Sequence, residues 1–400
     1  ACLPTGRFAP QTFSQYLHTM ENKNVQYGID QLVEKLFTWK EKRIALVTND
    51  AAKTSSRMAL VEKGYNITKL FSPEHGIHTK GEDGVAQHNA TDILTGLPVI
   101  SLYGAKLAPT EEDLQDIDIV LFDIPDIGCR FYTYLWTMTY VMEACATCKK
   151  KLIILDRPNP IGASLEKAEG PMLDEVNCSS FLGRWSIPVK HSCTLGELAN
   201  YFAATKISGL DLEIIKVKNY RRYYTAANDF SFVPTSPAMP DIHTALFYPG
   251  MGLLEGVNVD EGRGTKTPFR VCAAPWIAMD VLQNELQVQL PAVKIKAVRY
   301  RPTVGLYKNE FCNGVELSIA DEKLFNAVQT GIIVLQTLYK LYPAQLTERL
   351  YKTNINPTGK RHLDLLLGVK DAFAGVQTGK VFVTDLKNEW INTMSDYLLY

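Results

Sequence analysis

Residues 117–126, IDIVLFDIPD, decide the fold, because a nearly uninterrupted apolar run ends there in a polar turn that contains proline. Four other stretches follow the same plan: RIALVTND (43–50), ITKLFSPEHG (67–76), LPVISLYG (97–104) and KLIILDRPNP (151–160). Apolar runs without polar alternation are typical of parallel strands in a sheet that is covered on both faces. The five runs therefore predict a parallel β-sheet.

Helical patterns separate most of these runs. Apolar residues recur at helical spacing over residues 51–64 and 131–150, and a third helix is predicted over residues 194–205. Thr194 is a predicted cap for that helix, since Glu197 follows three residues later. One more strand, LDLEIIKV (210–217), comes after it. Strands that alternate with helices predict an α/β fold with a mostly parallel sheet.

The sequence changes character from residue 232 onward. A proline-rich turn, VPTSPAMPD (233–241), leads into the glycine-rich YPGMGLLEGVNVDEGRGTKTPF (248–269). Beyond it we predict strands at YRPTVGLY (300–307) and GVELSIA (314–320), a helix over 321–342, a short helix at LTERLY (346–351), a polar loop and two terminal helices. We therefore predict a first domain over residues 1–243 and a smaller α+β domain over residues 244–400. The glycine-rich segment is expected to fold back over the first domain.

The charge balance excludes several classes of protein. Lys and Arg total 42 against 43 for Asp and Glu, which gives a formal net charge of −1. A protein that binds mainly to nucleic-acid phosphates needs a basic excess, so no nucleic-acid partner is expected. The chain has no apolar run of the roughly 18–20 residues that a transmembrane helix needs, so we expect no membrane-spanning segment.

The cysteines predict neither a metal centre nor a disulfide scaffold. Cys145 and Cys148 form a C-x-x-C pair, but no second pair or histidine pair follows at zinc spacing. We expect mostly buried free thiols. The chain opens without the pattern of a signal peptide, so a signal peptide is expected to be absent or already removed. Cys2 is compatible with a trimmed lipoprotein that is anchored through this residue.

Polar side chains end the predicted strands, and in open α/β sheets ligands bind beyond the carboxyl ends of the strands. Asn49, Glu74, His75 and Asp126 are therefore expected along one edge. Glu74 and His75 stand side by side in PEHG, but neighbours on an extended chain point to opposite sides and need not act on one atom. A partly desolvated carboxyl such as Glu74 suits a general acid.

Two further motifs supply candidates for binding a substrate. In LFDIPDIGCRFYTY (121–134), Arg130 suits a carboxylate or a phosphate and Tyr132 offers an aromatic face. Arg130 suits a structural pair with Asp126 equally well. In LDRPNPIG (155–162), two prolines are expected to hold Asn159 extended, where it would bond sugar hydroxyls or an amide.

The glycine-rich stretch LLEGVNVDEGRGTKTPF (253–269) is the most specific of the candidate site segments. It carries the candidates Glu255, Asn258, Glu261, Arg263 and Thr265 among glycines that allow close backbone approach. The stretch contains neither G-x-x-x-x-G-K-[ST] nor a G-x-G-x-x-G that opens a helix, which are the usual phosphate-binding glycine motifs. Its acidic residues would also repel phosphate. The mixture of acids, an amide and an arginine favours an uncharged or singly charged polyol.

Together these motifs resemble the NamZ-type exo-β-N-acetylmuramidases of bacteria. The matching pieces run in order along the chain: TND, SPEHGIH, TGLPVISLYG, PTEEDL, DIDIVLFDIPDIGCRFYTY, LDRPNPIG, EGP, IPVKH, TLGELA, SPAMP, ALFYPG and LEGVNVDEGRGTKTPF. They span about residues 28–276, and a weaker likeness continues to the end. Several long motifs in a fixed order make the resemblance highly specific.

The resemblance implies a Rossmann-like first domain, a smaller second domain and a cleft between them. It also implies removal of terminal N-acetylmuramic acid from the non-reducing end of peptidoglycan fragments. We expect no cofactor and, since the histidines are scattered along the chain, no metal site. The expected location is the cell envelope, the periplasm or outside the cell. Glu74 falls on the family's suspected catalytic glutamate. Glycoside cleavage typically needs two carboxyl groups, and Glu255, Glu261 and Asp126 remain the alternatives for the second. In another alternative, the acetamido group of the sugar is the nucleophile and the second carboxylate orients that amide. Arg130 and Arg263 are the candidates to bind the lactyl carboxylate of the sugar.

Two other functions compete with the glycosidase. A catalytically silent protein of the cell envelope that binds sugar or peptidoglycan would use the same polar cleft. A metal-dependent hydrolase would use Asp123, Asp126, Glu74 and His75 as ligands. Three loops with intact carboxylates favour the enzyme over the binding protein, and the sequence lacks a convincing set of metal ligands.

Overall fold

The computed structural model describes residues 25–35, 37–52, 54–380, 382 and 387–400. Its first half contains the strands β1 (Ile44–Thr48), β2 (Ile67–Ser72), β3 (Ala90–Thr91), β4 (Pro98–Ser101), β5 (Ile119–Asp123), β6 (Lys151–Leu155), β7 (Glu169–Met172), β8 (Pro188–Lys190) and β9 (Leu212–Ile215). The helices of this half are α1 (Gly28–Glu34), α2 (Thr54–Glu62), α3 (Glu111–Leu114), α4 (Tyr134–Thr147), α5 (Glu175–Cys178) and α6 (Leu195–Thr205). All six strands predicted from the apolar runs are present.

Seven of these strands form one sheet in the order β3-β4-β2-β1-β5-β6-β9. All neighbours pair in parallel except β3 and β4, which are antiparallel. Without the short edge strand β3, the order in space is 3-2-1-4-5-6, which is that of the Rossmann fold. The order reverses between β1 and β5, so a crevice opens beyond the carboxyl ends of these two strands.

Alternate residues of each strand face opposite sides of the sheet and enter two separate cores. Val120 and Phe122 of β5 belong to the larger core, which α4 and α6 also enter, whereas Ile119 and Leu121 pack on the side of α1. The predicted cap of α6 is confirmed, since Thr194 Oγ1 accepts from the Glu197 amide and the Glu197 carboxylate accepts from the Thr194 amide. The apolar runs thus lie buried between two helical layers.

The second half is an α+β structure. It contains α7 (Ile242–Met251), β10 (Val271–Ala274), α8 (Met279–Gln289), β11 (Val293–Tyr300), β12 (Cys312–Ile319), α9 (Ala327–Leu341), α10 (His362–Leu367), α11 (Ala372–Gln377) and α12 (Lys387–Met394). The three strands form an antiparallel sheet in the order β10-β12-β11. The larger core continues from the first half into this one. The domain boundary predicted after residue 243 falls in the first turn of α7 and remains a prediction.

Two predicted elements of the second half are wrong, and one begins later than expected. YRPTVGLY is a run of turns after its first residue, and LTERLY is not a helix. The latter segment is extended because Glu348 forms a β-bridge with Val257 of the glycine-rich stretch. The long helix begins at Ala327, since the Asn326 side chain caps it by accepting from the Gln329 amide.

The seven cysteines in the described ranges are free thiols, and six of them are buried. Cys2 lies outside the described residues, so its predicted lipid anchor has no counterpart in the structure. None of the helices in the described part of the chain combines the length and apolar character that a membrane crossing needs.

Candidate active site

A cleft opens where loops after β2, β4 and β5 meet the second half of the chain. It encloses about 600 Å³, including the part open to solvent. Glu74, Tyr103 and Thr133 line it from the first half, and Glu255, Arg263 and His362 line it from the second. The cleft therefore lies beyond the carboxyl ends of the parallel strands, as the strand-end argument predicts.

Glu74 is placed by a tight turn that follows β2. His75 and Gly76 both adopt positive φ angles, 66° and 69°, so the chain is not extended there and both Glu74 and His75 line the cleft. The expectation that these neighbours point to opposite sides is wrong for this reason. Glu74 is buried, and its carboxylate accepts from the Gly84 amide at 2.8 Å and from Thr133 Oγ1 at 2.7 Å.

The Tyr103 hydroxyl is a third partner of Glu74. Burial, together with the negative charge of Glu74, raises the pKa of this phenol, so it remains a neutral donor at physiological pH. All three partners that the structure gives Glu74 are therefore neutral hydrogen-bond donors. They orient its carboxyl group in the cleft without an ion pair.

Arg263 connects the carboxyl groups on the opposite wall. It forms ion pairs with Glu255 at 2.6 Å, with Glu261 at 3.2 Å and with Asp83. Asp83 Oδ1 lies 3.5 Å from His75 Nε2, while His75 Nδ1 donates to the Gly81 carbonyl at 2.8 Å. The loop that follows Glu74 and the glycine-rich stretch are thus joined through one guanidinium.

Two buried glutamates in this wall resist ionisation. Burial raises the pKa of Glu255, and the nearby Glu261 raises it further. Burial also raises the pKa of Glu261, against the opposing effect of Arg349, whose Nη1 lies 3.7 Å from Glu261 Oε2. Arg263 is shared among three carboxylates and does not fully compensate any one of them. Glu255 and Glu261 therefore titrate as a pair that retains a proton to an unusually high pH.

Of the substrate-binding candidates, Tyr132 and Arg263 line the cleft. Asn49 is buried at the end of β1, where its side-chain oxygen accepts from the Ala51 amide. Arg130 is fully buried and donates to the carbonyl groups of Pro171, Ile187 and Leu366. That position does not fit a contact with substrate, and neither does it form the expected pair with Asp126.

The other predicted residues brace loops outside the cleft lining. Asn159 donates to the Cys193 carbonyl, Asn258 contacts Gln345 and Thr347, and Thr265 donates to the Gly262 carbonyl. Glu261 lies behind Arg263. Asp126 lines a separate depression, where its Oδ2 accepts from the Gly128 amide and lies 3.0 Å from His191 Nε2. Glu255 is therefore the predicted second carboxyl group that shares the cleft with Glu74.

The set of metal ligands proposed from the sequence is not assembled. Both carboxylate oxygens of Asp123 accept from Arg157, at 2.7 and 3.0 Å, so this group is already paired. The neighbouring Asp156 accepts hydrogen bonds from Thr194 and Tyr400. Within the described ranges, no group of three or more His, Cys, Asp or Glu side chains is arranged to hold a metal ion.

Two family models cover this chain: the N-terminal model of the exo-β-N-acetylmuramidase NamZ matches residues 44–243, and the C-terminal model matches residues 246–400. The chain belongs to the NamZ family. The membership predicted from the motifs is thus confirmed. Among curated proteins, the peptidoglycan β-N-acetylmuramidase NamZ of Bacillus subtilis (strain 168) is 40% identical over 333 residues, which cover 81% of this chain and 80% of that protein.

Two solved structures agree with the fold. A crystal structure of a DUF1343 family protein from Bacteroides fragilis is 30% identical, with a TM-score of 0.83, and covers 94% of this chain and 99% of that one. A second protein of the same description and organism is 28% identical over the same shares, with a TM-score of 0.68. These matches confirm the predicted α/β fold with a mostly parallel sheet.

Sequence reasoning missed several residues of this NamZ-family cleft. Thr133 lies inside the motif LFDIPDIGCRFYTY, three residues after Arg130, so its position was available as a signal, whereas Asp83 lies five residues beyond the SPEHGIH motif. Tyr351 and His362 come from segments with no motif, and their rings stack with centroids 4.6 Å apart. Burial lowers the pKa of His362 to about 3, with Arg349 and Arg263 adding to the effect, so this imidazole is neutral at physiological pH.

The raised pKa values of Glu255 and Glu261 predict how stability and activity change with pH. Because the folded protein raises the pKa of Glu261 above its ordinary value of 4.5, its contribution to stability is complete below that pH and is lost as pH rises through the raised value. We expect Glu261→Gln to flatten the fall in melting temperature between about pH 5 and about pH 8. The variant should also move the acidic limb of kcat/KM to lower pH, because Glu261 no longer raises the pKa of Glu255.

Thermal denaturation and rate measurements across this pH range check the prediction. Glu213→Gln is the matched control, since Glu213 is an ion-paired but more exposed glutamate at the far edge of the sheet. If the melting temperature of Glu261→Gln falls with pH as steeply as that of Glu213→Gln, the pair of Glu255 and Glu261 does not retain a proton.

Proposed function

We propose that this chain is an exo-acting glycosidase that removes N-acetylmuramic acid from the non-reducing end of peptidoglycan fragments. The observation that carries the proposal is that Glu74 and Glu255, from opposite halves of the chain, line one cleft beyond the sheet edge. Glycosidases typically need such a pair, one group to protonate the leaving oxygen and one to activate or replace the attacking water. Membership of the NamZ family indicates that the sugar removed is N-acetylmuramic acid.

Glu74 is the proposed general acid. Its partners Gly84, Thr133 and Tyr103 are neutral hydrogen-bond donors that orient it in the cleft. As the bond between the anomeric carbon and the glycosidic oxygen breaks, the proton of Glu74 passes to that oxygen and the remaining glycan leaves as an alcohol. The anomeric carbon forms its new bond to the oxygen of water, directly or after attack by the second carboxylate, and the proton released by that water restores the acid. Glu255 is the proposed second carboxyl group, held by Arg263 and by the Tyr351 hydroxyl. Because its pKa is raised to about 8, it acts as base or nucleophile only in the fraction of molecules in which it is ionised.

Arg263 is the proposed partner of the lactyl carboxylate that distinguishes muramic acid from N-acetylglucosamine. It lines the cleft, where its donors engage Glu255, Glu261 and Asp83, so the lactyl carboxylate would have to displace one of these carboxylates. Arg130, the other candidate, is buried outside the cleft lining and donates to backbone carbonyl groups. A guanidinium binds a carboxylate through two parallel hydrogen bonds. Recognition of this group would restrict the enzyme to chains that end in muramic acid.

The test compares two defined peptidoglycan fragments, one with N-acetylmuramic acid and one with N-acetylglucosamine at the non-reducing end. We expect free N-acetylmuramic acid from the first and no product from the second, as judged by mass spectrometry. Cleavage inside the second fragment would contradict exo action. Calorimetric binding of the first fragment without product would instead establish the alternative of a sugar-binding protein.

We also propose that the chain acts in the cell envelope or outside the cell. The proposal rests on the substrate, because peptidoglycan lies outside the cytoplasmic membrane. Fractionation of the native host, with palmitate labelling of Cys2, separates a periplasmic, a secreted and a lipid-anchored form. Exclusive recovery in the cytoplasm would contradict the proposal.

A further inference from the structure

A second groove continues from the mouth of the cleft along the surface of the first half. It encloses about 1540 Å³, including the part open to solvent, and is bordered by loops after β4 and β7 and by Asn354 and Ile355. Ile355 lines both cavities. Between them stand the rings of Tyr103 and Phe181, with centroids 5.7 Å apart. The two cavities are therefore neighbouring parts of one surface.

The chemistry of this groove differs from that of the cleft. Lys106 and Arg184 are among its lining residues, while no Asp or Glu is found among the described residues that line it. The hydroxyl groups of Thr110, Ser179 and Ser180 also line it and supply polar groups that a sugar needs. The cleft concentrates carboxyl groups, whereas the groove offers cations.

The two cations are held in place differently. Arg184 stacks on Tyr140, with its guanidinium carbon 3.8 Å from the ring centre, and donates to both oxygens of Glu143 at 2.8 and 2.9 Å. Lys106 forms an ion pair with Asp113, and its side chain is 29% exposed. An ammonium group has three donors, so Lys106 retains donors for a further acceptor. Lys106 is thus the cation that is able to meet a ligand.

We propose that this groove binds the continuation of the same glycan toward its reducing end, with Lys106 recognising the carboxylate of the next muramic acid. The proposal rests on the proposed function, because exo cleavage places the terminal sugar in the cleft and the remainder of the chain at its mouth. Peptidoglycan alternates its two sugars, so a lactyl carboxylate recurs two sugars beyond the cleaved one. Lys106 is paired with Asp113 but keeps donors for this carboxylate, in a groove that no Asp or Glu lines within the described residues.

Lys106→Gln tests the proposal on two substrates, the disaccharide of N-acetylmuramic acid and N-acetylglucosamine and the corresponding tetrasaccharide. Only the tetrasaccharide carries a second muramic acid beyond the cleaved bond. We expect the KM for the tetrasaccharide to rise about fivefold, with the KM for the disaccharide unchanged within about twofold. Lys340→Gln is the matched control, because Lys340 is also ion-paired but lies on α9 outside both cavities.

A second variant tests the groove without touching an ion pair. Ala105 is exposed and lines the groove, so Ala105→Trp should obstruct it and raise the KM for the tetrasaccharide while the disaccharide is cleaved normally. Equal KM values for the two substrates in the wild type and in both variants would overturn the groove proposal and leave the proposed function standing. Failure of the wild type to cleave either substrate would instead contradict the proposed function. A rise in KM for both substrates would overturn the groove proposal, since the effect would not be specific to the longer chain.

Discussion

Replacement of Glu74 by glutamine is expected to lower kcat on muramyl glycosides by a factor of about 10² to 10⁴, which is the usual contribution of a general acid. Glutamine has nearly the same shape and retains an oxygen that can accept from Gly84 or Thr133. The variant should therefore fold and bind substrate with a KM close to that of the wild type. The Glu74→Gln variant lacks the acidic proton that Glu74 donates to the leaving oxygen.

The leaving group makes this prediction specific to acid catalysis. An aryl glycoside whose phenol leaves without protonation should recover most of the lost rate, while the natural disaccharide should not. Glu82→Gln is the matched control, because Glu82 lies in the same loop but is exposed. Undiminished turnover of the disaccharide by Glu74→Gln would remove Glu74 from the acid role.

The second large effect concerns stability. Arg263→Met is expected to lower the free energy of unfolding by about 3–5 kcal/mol, because removal of one partner from buried ion pairs leaves the others uncompensated. Glu255, Glu261 and Asp83 all lose their shared cation in this variant. Activity should fall as well, since the lactyl carboxylate loses its proposed partner.

The sign of the pH dependence follows from the same carboxyl groups. At low pH Glu255 and Glu261 are protonated and tolerate the loss of Arg263, so the destabilisation should be smaller at about pH 5 than at about pH 8. Urea unfolding at both values measures it. Arg301→Met serves as the control, because Arg301 is exposed and covers the Phe311 ring. If Arg263→Met lowers the free energy of unfolding no more than Arg301→Met does, Arg263 does not stabilise the cluster of Glu255, Glu261 and Asp83.

Most of the first sheet was predictable from the sequence, because a strand that is buried on both faces needs apolar residues at successive positions. Residues 119–123 are apolar almost throughout since alternate side chains enter two different cores. The failures lie in the second half. LTERLY has helical composition but is extended, because Glu348 pairs with Val257, and no local pattern reports a partner about ninety residues away.

The candidate site was predictable where a residue type and a backbone constraint coincide. Glu74, between a proline and a turn with positive φ, and Glu255, among glycines, are both found in the cleft. Arg130 has equally suggestive neighbours, yet it is buried against three carbonyl groups. The sequence shows that an arginine follows a strand but not which groups surround it.

The sequence by itself determined the family, the α/β class, the strands that build the sheet and the catalytic glutamate that we propose. These properties depend on local composition and on motifs that stand together in the chain. Only the tertiary structure decided that Glu255 shares the cleft with Glu74, that Asp126 does not, and that Asp83 and Glu255 share Arg263. Glu74 and Glu255 are more than a hundred residues apart in the chain, as are Asp83 and Arg263, so their distances and burial arise only when the two halves of the chain pack together.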